Sequence, residues 1–324
     1  MPRKKILLCG ATGFIGRNLL ESFVKDGAYE VTAVYHRKEP PEVFRNHPSV
    51  QWVQADLTQA ADVGRVLKGQ QILVQAAATT SGARDIVSKP YYHVTDNALM
   101  NSLLFRGCFE NKLENVIFFS CTTMYMPQEA PVKEEDFKGE MIDKYFGVGW
   151  TKVYIEKMCE FYARLGPTKY TAIRHSNIYG PHDKFDLERS HVFGATVAKV
   201  MTAPGSEVEV WGDGSDERDL LHIDDLVSFV RLMLVWQKNP FELLNLGGGR
   251  AVSVTELVEA IIRASGRNLS IRYDTSKPSI GFKLKIDSSR ALAFGWKPEV
   301  GLEEGIRRTL AWYQEHAAPG RSKV

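Results

Sequence analysis

Residues Ile6–Gly16 read ILLCGATGFIG, and the prediction of the whole fold starts from them. The first four form a short apolar run before glycine, which is the pattern of a buried parallel strand. Glycines follow at positions 10, 13 and 16, and an amphipathic segment from Asn18 to Lys25 comes directly after them. The stretch therefore predicts a strand, a tight turn and a helix.

Glycine at these three positions has a chemical meaning in a strand–turn–helix unit. It permits a tight turn, close approach of a pyrophosphate to the backbone, and close packing of the helix on the strand. The helix N-terminus then offers N–H groups and a partial positive charge to the phosphates. We interpret the unit as a dinucleotide site, the alternative being an ordinary glycine-rich turn. The predicted cofactor-binding residues here are Gly10, Thr12, Gly13, Phe14, Ile15 and Gly16.

The end of the second strand indicates which dinucleotide is bound. The predicted strand Val31–Tyr35 is followed by three basic residues, with no carboxylate before Glu39. An acidic residue at this point accepts the ribose hydroxyl of NAD, whereas arginine suits the 2′-phosphate of NADP. We predict NADP held by Arg37, with NAD as the alternative. Asp56 and Leu57, after the third strand, are placed where an adenine amine would be held.

Strands and helices alternate through the first half of the chain. The predicted strands are Lys5–Cys9, Val31–Tyr35, Val50–Val53, Gln71–Ala76 and Asn115–Ser120, and the predicted helices are Asn18–Lys25, Ala60–Leu67 and Asp96–Asn111. Such alternation predicts right-handed βαβ units. The expected fold class is α/β, with a Rossmann-type doubly wound parallel sheet.

The alternation loosens after about residue 180. Loops rich in Gly, Asp and Pro separate helical segments, of which we predict His191–Met201, a helix running to Ala264, and Leu302–Glu315. Ser253 and Glu256 form a capping-box pattern at the start of the second of these helices. We expect the last residues, Arg321–Val324, to be frayed.

Composition excludes several classes of protein. The chain has 324 residues with a formal net charge of +2, which argues against a dedicated nucleic-acid binder. No apolar run approaches the ~20 residues of a membrane span, and the run after the basic N-terminus is too short for a signal peptide. The four cysteines stand singly, without zinc or disulfide spacing. We expect a cytoplasmic chain with no metal site.

Several of these segments together resemble one large family. They are Gly10–Gly16, Asp56-Leu57, Ala76-Ala77-Ala78, Asn97, Ser120–Tyr125 and Lys152. The set is similar to that of extended short-chain dehydrogenase/reductases, in the NAD(P)-dependent nucleotide-sugar epimerase/dehydratase group. The GDP-L-fucose synthase branch is the most similar, on the segments Asn177–Phe185, Ser190–Val192, Trp211–Gly214, Arg218–Leu226 and Asp274–Pro278.

The resemblance runs from about residue 5 to residue 314 and implies two domains. Residues 1–178, with about 220–248, would form the Rossmann domain. Residues 179–219 and 249–318 would form a smaller α/β domain for a nucleotide sugar, with 319–324 as a tail. It also implies a homodimer paired through helices near 97–111 and 150–164.

The resemblance further implies roles for individual residues. Additional cofactor contacts would come from Ala76, Ala77, Ala78, Asn97 and Lys152, and substrate contacts from Asn177, His191, Trp211, Arg218 and Lys283. In the family, lysine lowers the pKa of a tyrosine four residues before it, and that tyrosine exchanges a proton with the sugar. His191 would be the acid/base of an epimerisation.

The catalytic positions depart from the family pattern. Val148 stands four residues before Lys152, and valine transfers no proton. Cys121 stands where the pattern has serine or threonine, with Thr122 as a neighbouring substitute, and Thr123 replaces the cysteine that partners the histidine. Tyr145, seven residues before Lys152, falls on nearly the same face of a helix at ~100° per residue. It is a candidate for a displaced acid/base, or else a loop aromatic.

Three functions are therefore open at this point. The first is an NADP-dependent epimerase/reductase acting on a GDP-4-keto-6-deoxy sugar. The second is another nucleotide-sugar epimerase or 4,6-dehydratase whose acid/base has moved to Tyr145, Cys121 or His191. The third is a binding protein without catalysis, which Val148 and Cys121 favour and the retained Lys152 and His191 disfavour.

Overall fold

The computed structural model describes residues 3–79, 90–187, 190–277 and 283–317. Seven strands in this part of the chain form one sheet. They are β1 (Lys4–Cys9), β2 (Tyr29–Tyr35), β3 (Val50–Gln54), β4 (Ile72–Gln75), β5 (Asn115–Phe119), β6 (Lys169–His175) and β10 (Phe241–Leu246). The predicted strands of the first half are confirmed to within two residues, and β6 and β10 extend the sheet beyond them.

The order of these strands is β10-β6-β5-β4-β1-β2-β3, and every neighbouring pair is parallel. This is a doubly wound arrangement, which confirms the predicted α/β fold class. The order of the strands along the sheet changes direction between β1 and β4. Sheets of this kind bind ligands at that point, beyond the carboxyl ends of their strands. The candidate site is therefore expected at this edge.

Helices cover both faces of the sheet. They are α1 (Phe14–Asp26), α2 (Glu42–Arg45), α3 (Ala60–Leu67), α4 (Pro90–Glu110), α5 (Phe146–Leu165), α6 (Val192–Thr202), α7 (Ile223–Trp236), α8 (Val254–Ser265), α9 (Ser289–Leu292) and α10 (Leu302–His316). Apolar side chains of α1 and α7 pack into the core on one face. Those of α3, α4 and α5 pack into the core on the other.

A third apolar cluster lies among the later elements. Two small sheets contribute to it, β11-β9-β7 and β12-β8. Their strands are β7 (Asn177–Tyr179), β8 (Glu207–Trp211), β9 (Glu217–His222), β11 (Ala251–Ser253) and β12 (Ser270–Asp274). Helices α6, α8 and α10 pack on them through this core.

Helix boundaries differ from the prediction mainly at N-termini. Helix α1 begins at Phe14 rather than Asn18, and α4 begins at Pro90 rather than Asp96. Proline suits the first position of a helix because it lacks an N–H that would be unpaired there. The predicted later helices are confirmed at α6, α8 and α10. The expected frayed end, Arg321–Val324, lies outside the described residues, as does the tail 319–324.

The predicted capping box at α8 is half formed. The Ser253 side chain accepts a hydrogen bond of 3.0 Å from the backbone N–H of Glu256, as an N-cap does. The Glu256 carboxylate binds Arg250 at 2.9 Å instead of returning to the backbone of Ser253. A competing cation therefore explains the missing half.

Among the helices of the described ranges, none combines the length and apolar character that crossing a membrane requires.

Candidate active site

Two positions in the turn between β1 and α1 accept only glycine. Gly10 has a φ of +74°, and a Cβ there would lie 2.7 Å from the backbone of Ala76. A Cβ on Gly16 would collide with the carbonyl oxygen of Gly10. The strand, the turn and the first helical turn are thus packed backbone to backbone.

This turn also fits a pyrophosphate. Gly13 is the N-cap of α1 in an extended conformation, no side chain caps the helix, and its first turn carries no acidic residue. Its N–H groups and partial positive charge therefore suit an anion. Thr12, Phe14 and Ile15 are half-buried around the turn.

The residues predicted to hold the adenosine end follow β2 and β3. Arg37 is exposed just after β2 and makes no hydrogen bond or ion pair with the described residues. Asp56 follows β3, and its Oδ1 accepts hydrogen bonds from the hydroxyl (2.7 Å) and the backbone N–H (3.0 Å) of Thr58. These bonds hold the pKa of Asp56 below its ordinary value. Leu57 is buried in the core.

Asn97 holds the loop after β4. Its amide nitrogen donates to the carbonyls of Thr79 at 3.0 Å and His93 at 2.7 Å, and its oxygen accepts from the N–H of Thr79 at 3.0 Å. The loop residues Ala76 and Ala77 are half-buried and Ala78 is exposed. Asn97 therefore acts on this loop as a positioning residue.

Lys152 points from α5 to the carboxyl end of β5. Its Nζ donates a 2.7 Å hydrogen bond to the carbonyl of Phe119 and lies 4.8 Å from the ring centroid of Phe118. Burial lowers the pKa of Lys152, while Cys121 and Glu156 act in the opposite direction. Lys152 is therefore placed at the edge of the sheet where the site was expected.

The segment after β5 brings Cys121 and Thr123 together. The Cys121 Sγ and the Thr123 Oγ1 are 2.8 Å apart, within hydrogen-bonding distance. The side chain of Thr122, which the sequence offered as a substitute hydroxyl, is buried. The hydroxyl beside Cys121 is thus that of Thr123.

Tyr125, at the end of the same segment, belongs to a buried network. Its hydroxyl donates to Asn245 Oδ1 at 2.7 Å and accepts from Arg174 Nη1 at 2.8 Å. Burial raises its pKa above the ordinary value. The hydroxyl is therefore engaged in holding β6 and β10.

Tyr145 lies just outside helix α5. It ends the 3₁₀ helix Asp143–Tyr145 and is the N-cap of α5, with a φ of −105° and a ψ of 5°. The ring is half-buried, and the Lys144 Nζ lies 5.6 Å from its centroid. Tyr145 therefore lies one residue before the first residue of α5, just outside the regular helix on whose face the sequence placed it.

His191 and His175 both have a lowered pKa. His191 is the N-cap of α6 and reaches solvent, and its surroundings lower its pKa by desolvation, followed by the charge of Lys184. His175 ends β6, and burial lowers its pKa to about 4, with the charges of Lys152 and His191 adding to that effect. Sequence reasoning missed His175, although it ends a parallel strand at the ligand-binding edge.

The residues predicted to bind substrate lie on the later elements. Asn177 on β7 donates from its side chain to the carbonyl of Asp219 at 3.2 Å. Arg218 on β9 pairs with Asp216 at 3.2 Å. The exposed Lys283 lies 3.7 Å from Glu217.

Trp211, at the end of β8, presents an aromatic surface to solvent. Its side chain is 60% exposed. The Nζ atoms of Lys199 and Lys277 lie 5.2 Å and 5.9 Å from its ring centroid. A flat ring flanked by two cations suits an anionic ligand with an aromatic base.

Other histidines have structural partners. His182 lies 3.0 Å from Glu21, and His222 caps helix α7. In the described ranges, no three His, Cys, Asp or Glu side chains are grouped so as to hold a metal ion.

Comparisons with known proteins agree with this architecture. The chain is 30% identical to a GDP-L-fucose synthase of Azorhizobium caulinodans over 318 residues, with 96% of each protein covered. It is also 30% identical to a dTDP-4-dehydro-6-deoxy-D-allose reductase of a Streptomyces species, with 97% of each covered. A crystal structure of UDP-glucose 4-epimerase from Thermotoga maritima with UDP-glucose matches with a TM-score of 0.85 and 24% identity, over 96% of this chain and 99% of that one.

The model of the NAD dependent epimerase/dehydratase family matches residues 6–247. This range contains β1 from Ile6 onward with its glycine turn, the other six strands of the large sheet, Lys152, His175 and His191. The match thus covers most of the chain, including the carboxyl edge of the large sheet. This chain belongs to the NAD dependent epimerase/dehydratase family, a group of enzymes within the extended short-chain dehydrogenase/reductases.

Proposed function

We propose that this enzyme uses NADP to reduce and epimerise a 4-keto-6-deoxy hexose carried on GDP. The observation that carries the proposal is the position of Lys152 and His175 at the carboxyl edge of the sheet, where the neighbouring strands β5 and β6 end. This edge adjoins a glycine cradle that fits a dinucleotide. Relatives named for GDP-L-fucose synthesis and for reduction of a dTDP-4-dehydro-6-deoxy sugar support the same class of substrate.

The choice of NADP rests on Arg37. Its guanidinium is exposed at the end of β2 and has no hydrogen-bond or ion-pair partner among the described residues. A planar guanidinium matches a phosphate in two parallel hydrogen bonds. Asp56 would hold the adenine amine, and Leu57 would pack beneath it.

The nucleotide sugar would lie between the two predicted parts of the chain, 1–178 with 220–248 and 179–219 with 249–318. Trp211 would stack on the guanine base, since its ring is exposed and flanked by lysines. Arg218 and Lys283 would bind the diphosphate. When bound, the cofactor supplies or accepts a hydride, and Lys152 would hold its nicotinamide ribose.

We also propose a homodimer paired through α4 and α5. These helices pack side by side. Large apolar side chains on their outer surfaces are exposed, including Tyr92 and Leu99 on α4 and Trp150, Tyr154 and Phe161 on α5. A cluster of this kind is typical of a protein–protein contact.

One alternative has a specific observation in its favour. Val148 and Cys121 replace the hydroxyl groups of the family pattern, which favours a binding protein without catalysis. A related alternative is a different nucleotide-sugar epimerase or 4,6-dehydratase with a displaced acid/base at Tyr145, Cys121 or His191. The experiment below separates the silent protein from the enzymes.

The test is incubation of the purified protein with NADPH or NADH and a panel of nucleotide-linked 4-keto-6-deoxy sugars. We expect NADPH oxidation and a product two hydrogens heavier with the GDP-linked sugar. The variant Arg37→Ala should lower the preference for NADPH over NADH by about tenfold or more, since a charged hydrogen-bonded pair is lost.

Arg45→Ala is the matched control, because Arg45 is exposed on α2 and has no predicted role in binding the cofactor. It should leave the preference unchanged. Tight NADPH binding with no turnover across the panel would contradict the proposal and favour the silent protein.

A further inference from the structure

Gln75 and Asn101 form a hydrogen bond in the interior of the protein, next to the loop of residues 76–79 that follows β4 (the β4 loop). Gln75 is the last residue of β4, Asn101 lies on α4, and both side chains are buried. The Gln75 Nε2 donates to the Asn101 Oδ1 at 3.2 Å and to the Met100 Sδ at 3.1 Å. The pair thus joins the end of a central strand to a helix on one face of the sheet.

The remaining polar atoms of the two amides are bonded as well. The Gln75 Oε1 accepts a 3.2 Å hydrogen bond from the backbone N–H of Ala77, and the Asn101 Nδ2 donates to the backbone carbonyl of Asn97 at 2.7 Å. Asn97 in turn holds Thr79. A buried polar network in which every member is satisfied rigidifies the structure around it. The β4 loop is therefore fixed near both of its ends.

The β4 loop packs against the glycine turn. The backbone N–H of Ala76 donates to the carbonyl of Cys9 at 3.1 Å, and a Cβ placed on Gly10 would lie 2.7 Å from backbone atoms of Ala76 and Ala77. The order of the strands changes direction between β1 and β4, so the turn and the loop are neighbours in the crevice where sheets of this kind bind a dinucleotide. A shift of the loop would change the shape of that crevice.

An apolar pair at these two positions would not fix the loop in the same way. Replacing two hydrogen-bonded partners by apolar groups of similar shape is nearly neutral for stability, so stability alone does not require buried amides here. An apolar side chain at position 75 would leave the N–H of Ala77 without its acceptor. The amide of Gln75 therefore has a task on the loop backbone that packing cannot perform.

We propose that Gln75 and Asn101 are positioning residues for the cofactor, which hold the β4 loop against the glycine turn and so set the affinity for the dinucleotide. The inference rests on the dinucleotide site of the proposed function. Both side chains act through the backbone of the loop. Their effect is common to NADP and NAD, because Arg37 lies on the other side of β1, after β2.

The binding test measures the Kd of NADPH and of NADH for the wild type, Gln75→Met, Asn101→Leu and the double variant. Gln75→Met nearly keeps the volume of the side chain and removes its amide hydrogen bonds. We expect it to raise both Kd values about fivefold or more, and by the same factor. The double variant should lie within about twofold of the weaker-binding single variant, because the two amides act through one hydrogen bond.

Gln237→Met is the matched control. Gln237 is also a buried amide, and it donates to the carbonyl of Tyr170 at 2.9 Å and accepts from the hydroxyl of Thr171 at 2.7 Å. These bonds lie near the start of β6, at the opposite edge of the sheet. The control should keep both Kd values within about twofold of wild type. The inference is overturned if Gln75→Met binds both cofactors as the wild type does, or if the control weakens binding equally.

A second readout needs no cofactor. In the cofactor-free protein, Gln75→Met should accelerate amide hydrogen exchange at Ala77 about tenfold or more, because that N–H loses its acceptor, and leave Leu8 in β1 unchanged. Unchanged exchange at Ala77, or equal acceleration at both amides, would overturn the role of the pair. A wild type that binds a dinucleotide but converts no nucleotide sugar refutes the proposed function, and the Kd ratios and exchange rates still decide this inference.

Discussion

His222 caps helix α7 with a completely buried ring. Its Nδ1 accepts a 3.2 Å hydrogen bond from the backbone N–H of Asp224, so its Nε2 carries the hydrogen, and that atom has no hydrogen-bond partner among the described residues. Burial lowers the pKa of His222 from 6.5 to about 4. A protonated ring loses the cap because Nδ1 becomes a donor.

Folding stability should therefore fall in acid. The unfolded chain binds a proton at His222 near pH 6.5 and the folded chain near pH 4, so stability is constant above this window and declines as pH falls through it. The slope is at most about 1.4 kcal/mol per pH unit for one histidine. His175 contributes in the same direction. His222→Asn keeps a cap that does not titrate and should flatten the decline.

Urea unfolding at pH 7.5, 6 and 5 measures the effect. His316→Asn, at an exposed histidine, is the control and should keep the wild-type decline. An equal decline in wild type and His222→Asn would contradict the assignment.

Sequence reasoning selects candidate site residues where their spacing has a physical meaning. The glycines at 10, 13 and 16 are separated as a phosphate turn requires, and the structure gives the backbone collisions behind that requirement. His175 carries no such spacing, since a lone histidine beside Arg174 resembles part of a polar loop. Its position next to the end of β5 comes from the order of the strands in the sheet and not from local sequence.

At the level of elements, helix α5 and strand β6 are joined by a buried ion pair. Arg174 donates to both oxygens of Glu156, at 2.9 Å and 2.7 Å, and both side chains are almost fully buried. Ser120 donates to the same carboxylate, and Tyr125 accepts from Arg174. Glu156 lies one turn after Lys152, so this pair helps to fix the position of Lys152 relative to the sheet.

Glu156→Gln should destabilise the protein by about 3–5 kcal/mol, because it leaves the Arg174 charge buried and unpaired. Chemical denaturation at neutral pH measures the loss. Adding Arg174→Met to this variant should recover part of the stability, since the uncompensated charge is then removed.

Glu160→Gln is the matched control on the same helix. Glu160 pairs with Lys157 and Arg164, whose side chains are exposed, and its loss should change stability by no more than about 1 kcal/mol. Equal losses for the two glutamates would show that the buried pair is not the cause.

The elements of the first half were predictable because β1, β4 and β5 are largely apolar runs and α1 and α3 are amphipathic. The later strands were not. Strand β7 has three residues, and β6 ends with the charged Arg174 and with His175, which interrupt its apolar pattern. Arg174 is tolerated inside the fold because Glu156, from a separate element, neutralises it. Local sequence does not show which residue of another element will neutralise such a buried charge.

For the whole molecule, the outer surface of α4 and α5 gives a test of the proposed dimer. The double variant Tyr154→Glu/Phe161→Glu places two charges in the proposed contact and should convert a dimer into a monomer. Sedimentation velocity measures this directly. Val235→Glu is the control, because Val235 is 70% exposed on α7 and should leave the dimer intact. A monomeric wild type, or an equal effect of the control, would refute the proposed contact.

Strand β10 has a consequence for the order in which the molecule is made. Among the strands of the described residues it pairs with β6 alone, at the rim of the large sheet, yet 65 residues, 176–240, separate the two in the chain. During synthesis the backbone groups of β6 stay unpaired on that side until Leu246 has emerged, and an open apolar strand edge invites pairing with other chains. The nascent protein thus passes through a long interval in which one edge of β6 is open to pairing with other chains.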